Sequence, residues 1–67
     1  MKGISFDNIR VGRRYRLVNF SEIYEFVVEK HLGNDNFDLK DLHTLEPYQL
    51  QDLIRYGRGD DFEIREF

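Results

Sequence analysis

Two alternating segments joined by a short polar break occupy residues 13–31, and this pattern constrains the chain more than any other feature. In Arg13-Arg14-Tyr15-Arg16-Leu17-Val18, residues Tyr15 and Leu17 alternate with Arg14 and Arg16, the period-2 mark of a half-buried strand. In Ile23-Tyr24-Glu25-Phe26-Val27-Val28-Glu29-Lys30-His31, residues Tyr24, Phe26 and Val28 share one face, and Glu25, Val27 and Glu29 the other. Asn19-Phe20-Ser21-Glu22 between them is turn-prone. A tight turn at Phe20-Ser21 pairs positions whose numbers sum to 41. Leu17 then lies beside Tyr24, Tyr15 beside Phe26, and Arg16 opposite Glu25. Both faces are chemically consistent in this register, and a slip of one residue would invert them.

The rest of the chain extends the pattern. Ser5-Phe6-Asp7-Asn8-Ile9 reads as one helical turn capped by Ser5, with Phe6 and Ile9 on one face, and Gly12 releases the chain into the first strand. Gly33-Asn34-Asp35-Asn36 is the strongest turn signal, and Phe37-Asp38-Leu39-Lys40-Asp41 follows as a third strand. From Thr44 the period changes. Leu50, Leu53 and Ile54 fall at i, i+3, i+4, Pro47 suits a first helical turn, and Gly57 marks a stop. The spacing predicts a helix over about 47–56, a loop at Gly57–Asp61, and a closing strand at Phe62-Glu63-Ile64-Arg65. No repeat or linker interrupts the chain, which reads as a single domain over 1–67.

Composition narrows the class. With 67 residues and about 1.5 kcal/mol of conformational entropy to offset per residue, nearly every large apolar side chain is needed for the fold. Ten residues are aromatic, whereas Ala, Trp and Cys are absent, so a mostly β domain is expected rather than a helical bundle. Without Cys there is no disulfide framework and no thiolate metal site. No apolar run approaches the roughly 20 residues that span a bilayer. Met1-Lys2-Gly3 leads into polar sequence without a hydrophobic signal region, so a cytoplasmic location is expected.

The net charge of −3 divides unevenly: residues 1–20 carry +4 and residues 21–67 carry −7. Arg10, Arg13, Arg14 and Arg16 therefore form the most function-like cluster, since guanidinium groups bind phosphates bidentately. Cross-strand pairing with Glu25 and its neighbours explains the same residues, and a pI near 5.2 argues against a dedicated nucleic-acid binder. Arg58-Gly59-Asp60 matches an integrin-recognition tripeptide and Asn19-Phe20-Ser21 a glycosylation sequon, but a loop and a turn account for both. His31 and His43, with Asp35, Asp38 and Asp41 nearby, follow no metal-ligand spacing, so no metal or other cofactor is expected. Ser5, Ser21 and Thr44 lack a His–carboxylate partner in their sequence context, and no catalytic residue is assigned. Phe6, Tyr15, Tyr24, Phe26, Phe37 and Phe62 are the expected core aromatics. Phe20, Tyr48 and Tyr56 are expected to be partly exposed, where aromatics anchor partners.

Ile9-x-x-Gly12-x-x-Tyr15-x-Leu17, then Tyr24-Glu25-Phe26-Val27-Val28, then Phe37-Asp38-Leu39-Lys40-Asp41 resembles the first three strands of SH3-like barrels, Tudor-type domains included. The resemblance covers residues 9–41 and implies a small, partly open β-barrel with one short helix before the last strand. The alternative is an α+β open antiparallel sheet. Tudor-type modules hold methylated side chains in an aromatic cage, but this chain has no Trp and no acidic-aromatic-glycine segment after the third strand, so no cage residues carry over. A predicted ten-residue helix also stands where such barrels have a single tight turn. The expected function is a non-enzymatic protein-interaction module, with Arg13, Arg14, Arg16, Phe20, Tyr48 and Tyr56 as candidate partner-binding residues. Nucleic-acid binding through the arginine strand is the alternative. Weak self-association through a sheet edge or the aromatic rim is also expected, with no membrane contact.

Overall fold

The computed structural model describes residues 8–67. Ser5, Phe6 and Asp7 of the predicted first helical turn lie outside the described residues, as does Phe6 as a core aromatic. Within them the chain forms β1 (Arg14–Asn19), β2 (Glu22–Gly33), β3 (Asn36–Asp41), β4 (Pro47–Gln49), α1 (Leu50–Leu53) and β5 (Glu63–Glu66). The five strands make one open antiparallel sheet in the order β4-β3-β2-β1-β5. The protein is mostly β.

The β1–β2 register runs from Arg14 opposite Val27 to Asn19 opposite Glu22, the pairing that the alternation predicts. Phe20 (φ 50°) and Ser21 (φ 66°) form its two-residue turn, and Asn34 (φ 52°) and Asp35 (φ 59°) the next. Positive φ at both central residues gives the twist that suits paired strands. Twelve residues of straight strand would span about 40 Å, yet the described residues extend only 27 Å along their longest principal axis. β2 must therefore bend. Register shifts at Val28/Lys30 and His31/Gly33 supply the bends, and the sheet coils around its inner face.

That face buries Tyr15, Leu17, Phe26, Val28, Leu39 and Ile64, with Leu50 of α1 closing over them. Tyr24 and Phe62, both expected in the core, pack half-buried against it. The buried Tyr15 hydroxyl accepts the Arg10 N–H at 2.8 Å. Among the described residues no buried side-chain nitrogen or oxygen lacks a hydrogen-bond partner.

The predicted helix over 47–56 is corrected to a short strand and one helical turn. Pro47 opens β4 instead of a helix, and Leu39 pairs with Tyr48. Pro47 lies at the sheet edge, where its missing N–H leaves no ladder bond unmade. α1 then places Leu50 in the core and half-buries Leu53 and Ile54, so the i, i+3, i+4 spacing is used for a single turn. The turn closes when Gly57 donates to the Ile54 carbonyl at 2.9 Å, with Gly57 at φ 94°. Pro47–Gln49 thus adds a fifth strand, between the third and the closing strand, to the four that the alternation predicts.

Candidate functional site: a groove beside the first hairpin

The groove is built outward from Asn19. This residue ends β1 on the inner face and is only 2% exposed. Its Nδ2 donates to the carbonyls of Leu53 (3.0 Å) and Gly57 (3.1 Å), and its Oδ1 accepts the Gly59 N–H at 2.7 Å. One side chain thus ties the hairpin to the end of α1 and to the following loop. Both of its amide hydrogens are engaged, so the sequon at Asn19-Phe20-Ser21 is closed to a glycan in the folded chain.

The turn itself is tied by a second residue. The Asp61 carboxylate accepts the Phe20 N–H at 2.9 Å and the Ser21 N–H at 2.7 Å. Left-handed backbone costs a non-glycine residue roughly 1–2 kcal/mol, and the two charge-assisted bonds offset that strain. The Phe20 ring lies over Gly59, where a Cβ would come within 3.0 Å of it.

Between hairpin and helical turn lies a groove of about 420 Å³ walled by Phe20, Tyr24, Leu53 and Tyr56. Glu22 and Asp52 stand at its rim, with Arg55 held 3.3 Å from Asp52. The Tyr24 hydroxyl donates to Glu22, and this bond is the main reason its pKa rises above the usual phenol value. Phe20 is 54% and Tyr56 85% exposed, so the groove presents aromatic surface that the core does not use. A larger depression, about 730 Å³, is walled largely by charged and polar side chains such as Glu29, Asp38, Lys40 and Gln49. Binding pockets are mostly apolar with a few placed polar groups, which favours the smaller groove.

The structure therefore separates the six candidate residues. Phe20 and Tyr56 both line the groove. Tyr48 lines the larger depression instead; its ring meets Tyr24 edge-on at 6.5 Å and its hydroxyl donates to Asp41 at 2.9 Å. Burial, then Asp41, raises the Tyr48 pKa. Arg14 and Arg16 project from the opposite face of the sheet. Arg16 pairs with Glu25 at 2.8 Å, Arg13 with Glu66 at 3.3 Å, and both Arg14 and Arg16 lie within 6 Å of the Phe67 ring. Glu25 also meets His43 Nε2 at 2.6 Å, and the His43 and Arg16 contacts hold its carboxyl below the usual range. The arginine strand is paired largely within the sheet.

His31 stacks on Phe37 at 4.7 Å, and Asp41 accepts the backbone N–H groups of His43 and Thr44. Among the described residues no three His, Asp or Glu side chains are grouped to hold a metal ion. No described helix is long and apolar enough to cross a membrane. Sequence reasoning missed Asn19 and Asp61 as builders of the site. The only signal for either was the turn propensity of Asn19. No protein-family model, curated protein or solved structure matches the chain.

Proposed function

We propose that the protein is a non-enzymatic interaction module that holds a short segment of a partner protein in the hairpin groove. The observation that carries this reading is the exposed aromatic pair Phe20 and Tyr56 lining one concavity together with Tyr24 and Leu53. Aromatic side chains with little conformational freedom to lose are the usual anchors of small interfaces. With Asp52 at the rim already paired to Arg55, the Glu22 carboxylate there favours a segment in which apolar residues adjoin a Lys or Arg. An SH3-like barrel belongs to the same proposal. In its favour, a single helical turn stands between β4 and β5, in place of the longer helix that the spacing predicts.

The test is selection from a random displayed peptide library against the intact protein. Enriched sequences should combine apolar residues with Lys or Arg. Tyr56→Ala should weaken the best peptide at least thirty-fold, the size of a hot-spot truncation. Arg14→Gln with Arg16→Gln should leave it within two-fold. No enrichment, or loss of binding in the arginine variant alone, would refute the reading and favour the arginine strand.

A further inference from the structure

We propose that Asp61 is a positioning residue for Phe20: its carboxylate, seated across two successive backbone amides, fixes the ring that forms one wall of the groove. A two-residue hairpin turn of this type favours Asn-Gly, yet here Phe and Ser occupy the left-handed positions. Burial does not explain the choice, because Phe20 is 54% exposed. Three ties nevertheless converge on the turn. Asp61 bonds both central N–H groups at 2.9 and 2.7 Å, Gly59 leaves room for the ring, and Asn19 anchors the Gly59 amide. Successive N–H groups in such a turn make an anion-binding concavity, and the chain fills it with its own carboxylate. A strained segment held by surrounding contacts is the form that prearranged sites take.

The consequence for binding rests on the groove being the ligand surface, whereas the positioning is read on the free protein. In the full chain, the Gly59 Hα resonances should carry a ring-current shift from Phe20. Asp61→Ala should lose most of that shift and speed solvent exchange of the Phe20 and Ser21 amides ten-fold or more. Exchange at Val28 and Leu39 should change less than two-fold. Ser21→Gly, which suits the second turn position, should restore the Gly59 shift in the Asp61→Ala background. An Asp61→Ala protein that keeps the shift would overturn the proposal. So would loss that spreads equally to Val28 and Leu39, or that Ser21→Gly does not repair. If the shift is lost as expected while the affinity of a library-selected peptide stays the same, the positioning stands and the groove reading fails.

Discussion

Asn19 meets three backbone groups, two carbonyls and one N–H, so its removal affects more than one hydrogen bond. Leaving a fully buried backbone group unpaired costs roughly 1–3 kcal/mol, and these part-buried groups recover some of that through water at the groove. Asn19→Ala should therefore destabilise the fold by about 2–4 kcal/mol in urea unfolding. Arg14→Gln with Arg16→Gln should cost under about 1 kcal/mol, because exposed ion pairs contribute little. Asn19 illustrates what the sequence hides at this scale. Its turn propensity was legible, but its partners lie 34 to 40 positions along the chain, beyond any local pattern. Arg16 is the opposite case. Its partner Glu25 followed from the register alone.

At the scale of elements, the first hairpin was legible because both faces of both strands had to agree, leaving one register. The segment 47–56 was not, since the spacing of Leu50, Leu53 and Ile54 fits one turn of helix as well as three. Tertiary ties decide between them: β3 takes Pro47–Gln49 as a strand, and Asn19 takes the carbonyls of Leu53 and Gly57. An isolated peptide covering 46–57 should accordingly show no measurable helix by circular dichroism, as nucleation dominates at this length. In the intact protein, Ser21→Gly removes left-handed strain at a larger cost in chain entropy than serine incurs. It should stabilise by about 0.5–1 kcal/mol, seen as a higher urea midpoint with an unchanged slope.

For the whole molecule, charge sets the response to pH and to polyanions. The carboxyls of Glu25 and Asp41 lie below their ordinary values of 4.5 and 3.8, through His43 and Arg16 for the first and the Thr44 and His43 amides for the second. The folded state therefore binds these protons less readily than the unfolded chain. Their stabilisation is present above the ordinary values and is lost as pH falls through the lowered ones. Unfolding followed between pH 6 and 2 should show stability declining below about 4.5, and Glu25→Gln should flatten part of that decline. The −7 carried by residues 21–67 opposes polyanions, because the described residues extend only 27 Å along their longest principal axis. Mixed-sequence DNA or RNA should bind no tighter than roughly 10⁻⁴ M at physiological salt, measured by fluorescence anisotropy. The two surfaces, aromatic groove and paired arginine strand, then make opposite claims on a bound peptide. The decisive measurement is the amide ¹H–¹⁵N spectrum of the full chain titrated with a library-selected peptide. The groove account predicts shifts concentrated at residues 19–24 and 53–61, whereas shifts confined to residues 13–16 and 65–67 would contradict it.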